Sequence, residues 1–185
     1  MNSIELMVNE HKYILRMLKV VRNACFTIFK GKEINYEDFN QIIDFIRNFA
    51  DKHHHGKEEK FLFKEMQLHL GKTGENLITR GMLVEHDLGR LFMSDLVDAL
   101  QRVENGDEES KLDVISNAIG YAHLLTRHIG KEDEVVYNYG GKNLSSEILE
   151  AINLKTEIFE QEAQVLGTQA HYIKILEDLE KKYNI

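Results

Sequence analysis

The chain has 185 residues and a formal net charge of −8, with 43% hydrophobic and 29% charged residues. This composition is typical of one globular domain and excludes a disordered chain, while the acidic balance argues against nucleic acid or an anionic membrane as a partner. The sequence contains no proline and 12 glycines, which favours long helices over an all-β fold with many turns.

Apolar residues recur at steps of three and four almost throughout the chain, which is the spacing of amphipathic helices. A first helix begins at Ser3, its predicted cap, and ends near Gly31. The pattern then predicts helices over about 35–69, 75–105 and 108–139, followed by two more charged helices over 144–166 and 168–183. Short connections make neighbouring helices antiparallel, so we predict an all-α, up-down-up-down four-helix bundle with two additional C-terminal helices.

The two halves of the chain repeat each other. The segment from His54 to Phe63 matches His128 to Tyr137 at an offset of 74 positions, and Glu10-His11 matches Glu85-His86 at an offset of 75. We therefore expect a bundle over residues 1–141 made of two helical hairpins, 1–72 and 73–141, with the extension 142–185 packed on it. An approximate two-fold axis between the hairpins is a natural place for a pair of metal ions.

Each of the four predicted bundle helices carries a histidine on its apolar face. Residues four apart share a face, so the second and fourth helices each add a glutamate beside the histidine. Buried carboxylates are costly unless paired or bound to a metal, and no lysine or arginine lies clearly on these stripes. Nitrogen and oxygen donors suit iron, manganese or zinc. The candidate ligands are His11, His54, Glu58, His86, His128 and Glu132.

This ligand set leaves coordination positions open. Two octahedral ions have about twelve positions, of which four histidines, two bridging glutamates and one bridging oxo or hydroxo group fill about ten. The remaining positions favour a reactive centre that binds solvent or a small molecule over a closed structural site. His55, beside His54, and His123, five residues before His128, are additional candidate ligands, each with a surface position as its alternative.

Several neighbouring polar residues have simpler interpretations. We expect His53 and Lys57 on a solvated face. Glu10 and Glu85 either orient a ligand histidine on a neighbouring helix or face solvent. Exposed charge is the expectation for the remaining acids beside the motifs, Glu59, Asp133 and Glu134.

The motifs together resemble the hemerythrin-like, or HHE cation-binding, domain over roughly residues 1–141. The resemblance implies a left-twisted four-helix bundle with a non-haem di-iron centre bridged by carboxylates, in which the six candidate residues are the ligands. The two-helix tail resembles that of bacterial members. The motifs that carry the resemblance are Glu10-His11, His54-His55-Gly56-Lys57-Glu58-Glu59, Glu85-His86-Asp87 and His128-Ile129-Gly130-Lys131-Glu132-Asp133.

The chain departs from the oxygen-carrying hemerythrins at two positions. Those carriers have a second histidine four residues after the first on the third helix, where this chain has Arg90. Their fourth-helix acid lies five residues after its histidine, a position that Asp133 occupies here, whereas Glu132 lies four residues after His128. The departures favour relatives that react with or sense oxygen, peroxide or nitric oxide, or that handle iron.

Three functions from different classes fit the sequence. The first is a di-iron protein that binds or reacts with dioxygen, peroxide or nitric oxide in an oxidative or nitrosative stress response; zinc or manganese would also fit the ligands. The second is an oxygen or iron sensor, or an iron-handling module, without turnover. The third is a metal-free helical interaction protein.

No apolar run approaches the roughly 20 residues of a membrane span and no export signal is visible, so we expect a cytoplasmic protein.

Overall fold

The computed structural model describes all 185 residues and contains helices and no strands, which confirms an all-α fold. Nine α-helices follow one another along the chain. Their bounds are Ser3–Phe29 (α1), Tyr36–Phe45 (α2), Phe63–His69 (α3), Gly71–Leu77 (α4), Leu83–Glu104 (α5), Lys111–Lys131 (α6), Tyr137–Asn143 (α7), Ser146–Val165 (α8) and Thr168–Tyr183 (α9).

Four π-helical segments join these helices into longer rods. The first rod is α1, the second runs from α2 to α3, the third from α4 to α5 and the fourth from α6 to α7. A short 3-10 turn, Glu108–Ser110, precedes the fourth rod. The π-helical segments are Ile46–His55 (π1) and Glu58–Leu62 (π2) in the second rod, Ile78–Met82 (π3) in the third and Glu132–Val136 (π4) in the fourth.

Two of the π-helical segments are related by the sequence repeat. In π2 the backbone N–H of Phe63 donates to the carbonyl of Glu58, and in π4 that of Tyr137 donates to the carbonyl of Glu132. A π-helical turn of this kind widens a helix locally and is frequent at functional sites. The repeat therefore extends from the side chains to the backbone, and each widened turn begins at an inward glutamate.

Helix ends differ from the sequence expectation at three places. Asn2, not Ser3, caps α1, because the Asn2 side chain accepts hydrogen bonds from the N–H groups of residues 4 and 5. Ser3 is instead buried, and its hydroxyl donates to Asn153 of α8 over 2.9 Å. The third rod begins at Gly71, four residues earlier than expected, and the fourth rod continues past Gly140 to α7's end at Asn143.

The apolar core is divided into two clusters. A large cluster of 30 buried residues includes Phe39, Phe45 and Leu96, and a small cluster of 10 includes Met7 and Leu62. In every rod the inward histidine lies between residues of the two clusters. A layer of polar side chains therefore separates the two parts of the core, and this layer contains the candidate ligands.

The C-terminal helices lie against the rods. Helix α9 contacts α1, α2 and π1, and α8 contacts α1, π2 and α9. Leu176 and Leu179 of α9 are buried members of the large cluster, so this helix completes the core. None of the helices combines the length and the apolar character that a membrane crossing requires.

Candidate metal centre

The polar layer brings together histidines and glutamates from all four rods. Two buried groups each offer four donor atoms that lie within 4.8 Å of one another. Glu58 belongs to both groups, so the groups are adjacent. The first group is His11, His54, Glu58 and Glu132, and the second is His55, Glu58, His86 and His128.

The imidazole Nε2 atoms and the two carboxylates face one another at the centre. The Nε2 atom of His128 lies 3.0 Å from Glu132 Oε1, and that of His11 lies 3.3 Å from Glu132 Oε2. The Nε2 atom of His86 lies 3.5 Å from Glu58 Oε2 and 3.9 Å from Glu132 Oε1. Each carboxylate thus lies between histidines that come from different rods.

Each central histidine uses its other ring nitrogen to donate a hydrogen bond to a carboxylate. The four Nδ1 bonds are His54 to Glu10 at 2.8 Å, His128 to Glu85 at 2.9 Å, His11 to Asp133 at 2.8 Å and His86 to Glu59 at 2.7 Å. Such bonds fix the ring orientation and place the Nε2 lone pair toward the centre. The expectation of exposed charge at Glu59 and Asp133 was therefore wrong, because these half-buried acids each bond a histidine of another rod.

Three carboxylate oxygens of the site lack the partners that buried polar groups normally have. Oε2 of Glu58 and both carboxylate oxygens of Glu132 are buried without a hydrogen-bond partner. Because Nδ1 donates, each neutral histidine presents the lone pair of its Nε2 atom to the centre. Hydrogen-bond acceptors on the histidines therefore face hydrogen-bond acceptors on the two glutamates. This arrangement is unfavourable in a buried site unless a cation lies among them. The residues present therefore fit a metal ion in each group.

In the metal-free chain, protons balance part of this negative charge. Burial disfavours the charged form of His11, but the hydrogen bond with Asp133 and the nearby Glu132 carboxylate outweigh burial and raise its pKa to about 9. Burial and the charge on His11 lower the pKa of His54 to about 4. Burial and the neighbouring Glu132 carboxylate raise the pKa of Glu58 well above its ordinary value. A cation that binds here would displace such protons.

These pKa shifts predict that the metal-free protein is most stable near neutral pH. The raised pKa of His11 contributes stability that is present below pH 6.5 and is lost as the pH rises through about 9. That loss is on the order of 3 kcal/mol, at about 1.36 kcal/mol per pH unit. The lowered pKa of His54 acts in the opposite direction, because stability falls as the pH drops below 6.5 toward 4.

Urea unfolding of the metal-free protein at a series of pH values between 5 and 9 checks this profile. His11→Gln is the matched variant, and its free energy of unfolding should decline less steeply above pH 6.5 than that of the parent. The raised pKa values of Glu58, His53 and His86 account for the decline that remains. A parent profile that stays flat from pH 6.5 to 9 would contradict the assignment of the extra proton to His11.

Two aromatic rings cover the histidines from symmetric positions. Tyr137 stacks on His11 with ring centroids 5.6 Å apart, and its hydroxyl donates to Glu58. Phe63, its counterpart in the repeat, stacks on His86 at 5.8 Å. The two halves of the repeat therefore place an aromatic ring in the same position against a histidine. They differ in chemistry, because only the tyrosine has a hydroxyl that reaches the centre.

The structure places one of the two additional candidate ligands, His55, in the site and the other, His123, on the surface. His55 is buried in the second group, and its ring stacks on His86 with centroids 3.8 Å apart. His123 is exposed and belongs to neither group, because it points about 140° away from His128 around the helix.

The prediction that His53 and Lys57 lie on a solvated face was wrong, since both side chains are buried.

A cavity of about 330 Å³ reaches the second group from the surface. Buried His55 and His86 line it together with Tyr121, and the partly exposed Arg90 also lines it. Arg90 donates to Asp51, Glu59 and Asp87 and is held in place by them. This is enough space for a small molecule to approach the second group.

Comparisons with known proteins agree with the geometry. The family model described as "Hemerythrin HHE cation binding domain" matches residues 2–139. Uncharacterized proteins of Mycobacterium bovis and of Mycobacterium tuberculosis are each 21% identical to the chain over 184 residues, which covers 97% of this chain and 69% of theirs. No solved structure matches the chain at a significant level.

Proposed function

The chain belongs to the hemerythrin HHE cation-binding domain family, and on that premise we propose that it holds two iron ions in its polar layer and reacts there with a small oxidant. The oxidant is dioxygen, peroxide or nitric oxide, and the role is defence against oxidative or nitrosative stress in the cytoplasm. The observation that carries the proposal is the set of three buried carboxylate oxygens without partners, which face the lone pairs of four histidines.

The two groups divide the proposed ligands between two ions. His11 and His54 would hold one ion, and His55, His86 and His128 would hold the other, with Glu58 and Glu132 shared between them. The sharing of Glu58 by both groups supports this division, and so does the position of Glu132 within 3.9 Å of histidines from both groups. A centre with two histidines at one ion and three at the other is asymmetric.

When bound, iron supplies the redox chemistry that protein side chains lack. The chain's own residues orient and shield the reacting centre. Four carboxylates fix the histidine rings, and the rings of Phe63 and Tyr137 stack against His86 and His11. Tyr137 holds the proton of its hydroxyl at Glu58. The cavity beside His55 and His86 admits a small molecule to one side of the layer.

We further propose an up-down-up-down bundle over residues 1–141, with 142–185 as its extension. The order of core residues along each rod supports this topology. Residues of the small cluster precede the inward histidine in the first and third rods and follow it in the second and fourth, as Met7, Met82, Leu62 and Val136 do. Rods that cross the same layer in alternating order run in alternating directions.

The reaction is tested by exposing anaerobically iron-loaded protein, in separate samples, to dioxygen, hydrogen peroxide and nitric oxide. We expect at least one of them to change the near-ultraviolet and visible spectrum. With a chemical reductant present to return the iron to iron(II), repeated additions of the reactive oxidant should be consumed. Chelator-treated protein is the control. A single stoichiometric change without continued consumption would favour the sensing or iron-handling alternative, and no change with any oxidant would contradict the proposed reactivity.

Filling the cavity should slow the reaction without removing the metal. A β-carbon at Gly89 would lie 3.4 Å from the Tyr121 ring, an ordinary contact, so alanine fits there. Leucine at the same position would occupy part of the space beside His86. We expect Gly89→Leu to react several-fold more slowly than Gly89→Ala, with equal iron content by metal analysis. Equal rates in the two variants would show that the oxidant enters elsewhere.

A further inference from the structure

A lysine is wholly buried next to the polar layer. The side chain of Lys57 has 0% exposure, and its ammonium donates to both Glu10 and Glu160. The Nε2 atom of His53 lies 3.1 Å from the same ammonium. A buried ammonium is costly unless it is paired on several sides, so these contacts determine where it lies. Glu10, His53 and Glu160 could also surround a metal ion, but the ammonium already provides the cation of this cluster.

The ammonium connects the C-terminal extension to a candidate ligand. Glu160 lies on α8, and its second carboxylate oxygen accepts from Gln169 of α9. Glu10 binds Lys57 through Oε1 and accepts from His54 Nδ1 through Oε2, over 2.8 Å. A continuous path of buried polar contacts therefore leads from α8 through Lys57 and Glu10 to His54.

The other half of the repeat lacks this support. Glu85 accepts from His128 Nδ1 and from Lys131, which are the repeat counterparts of His54 and Lys57. The side chain of Lys131 is 50% exposed, however, and Glu85 is its single hydrogen-bond partner. Each half of the repeat thus has a histidine, a glutamate and a lysine in contact, but helix α8 covers only the half that contains Lys57.

We propose that Lys57 and Glu160 are positioning residues for His54, so that the ion held by His11 and His54 depends on the C-terminal extension. This inference rests on the proposed metal centre. Lys57 and Glu160 hold Glu10 in place, and Glu10 in turn holds the His54 ring with Nε2 toward the centre. The ion held by His55, His86 and His128 does not depend on α8 in this way.

The test compares Lys57→Met with Lys131→Met, its repeat counterpart, by competition for iron(II) against a chelator under anaerobic conditions. In Lys57→Met we expect one ion to keep the parent affinity and the other to bind about 10-fold more weakly, at the low end of the loss that follows when a ligand's own hydrogen-bond partner is removed, because Glu10 remains but is no longer held by the ammonium. Lys131→Met should weaken binding by no more than about fivefold, because its ion pair is exposed. Lys155→Met, which removes a surface pair between α8 and Glu65, is the control for attachment of the helix.

A second pair of variants separates positioning from folding. Glu160→Gln keeps an oxygen that can accept from Lys57, whereas Glu160→Leu does not, so affinity for the weakened ion should decrease in the order parent, Gln, Leu. In the Mössbauer spectrum of protein equilibrated with iron and the competing chelator, one of the two iron signals should decrease selectively in Glu160→Leu. A merely structural role would lower the melting temperature of the metal-free variants without this selective loss.

The outcomes distinguish the inference from the proposed function. Folded Lys57→Met and Glu160→Leu variants that hold both ions as tightly as the parent would overturn the inference, and so would equal weakening in Lys57→Met and Lys131→Met. If Lys57→Met does not fold, the two Glu160 variants decide. A parent chain that binds no iron would instead contradict the metal centre itself, and the inference with it.

Discussion

Replacing Glu58 by leucine should abolish the binding of both metal ions. Glu58 is the one residue that belongs to both donor groups, and it has 0% exposure. Its loss removes a charged donor from each group at once. The metal-free variant should be about as stable as the metal-free parent. Leucine removes a buried carboxyl with an unpartnered oxygen, and this gain is offset by the loss of the hydrogen bond that Tyr137 donates to Glu58.

Metal analysis after gel filtration and thermal unfolding with and without iron together measure this result. Glu134→Gln is the matched control, because Glu134 is an exposed acid two residues from Glu132 and lies outside both groups. It should retain the parent's iron content. A Glu58→Leu protein that is folded and holds the parent's amount of iron would mean that the carboxylate is not a ligand.

Iron loading should raise the stability of the parent by several kcal/mol, and a chelator should reverse the gain. A ligand that binds only the folded state contributes about 4 kcal/mol when its free concentration is about a thousand times its Kd. For a protein of this size, that corresponds to a rise in Tm of about 8–16 °C. The gain follows from the unpartnered carboxylate oxygens, which acquire a partner only when a cation is present.

Calorimetry of loaded, chelated and reloaded samples in one buffer checks this expectation. The Glu58→Leu variant should show the same Tm in all three samples. A parent Tm that does not respond to iron would contradict the presence of a specific site in the folded chain. Full recovery on reloading would show that the chelator removes the metal without damaging the fold.

The helical fold and the inward histidines could be predicted because each depends on local spacing. A period of three and four residues determines which face of a helix is buried, and an offset of 74 or 75 residues places matching chemistry on matching rods. His11, His54, His86 and His128 all lie on such a face, and the structure brings them together. The direction of each rod and the choice of metal are not determined by spacing and remain proposals.

The features that sequence reasoning missed depend on contacts between rods. Lys57 was expected on a solvated face, because the two carboxylates that pair with it come from distant parts of the chain: Glu10 is 47 residues away and Glu160 of α8 is 103 residues away. Asp133 and Glu59 bond histidines that are 122 and 27 residues distant. The π-helical segments were missed because a stripe of period 3.6 does not show a single widened turn.

His123 is a candidate ligand that the sequence suggested and that the structure does not place in the site. Its position five residues before His128 made it a candidate, and the structure places it on the surface. His55, which is adjacent to His54, is buried with the second group because its rod is π-helical there and the ring stacks on His86. On a regular helix His55 lies about 100° from His54 and His123 about 140° from His128, so spacing directs neither ring to the centre. The contact that places His55 there comes from another rod.

The central claim is that two adjacent groups of buried donors each hold an iron ion. Its most direct test is to load the full chain with iron(II) anaerobically, remove the unbound metal by gel filtration and determine the iron content per chain. We predict about two irons per chain, in accord with the two donor groups. Less than one iron per chain in folded protein would contradict the claim.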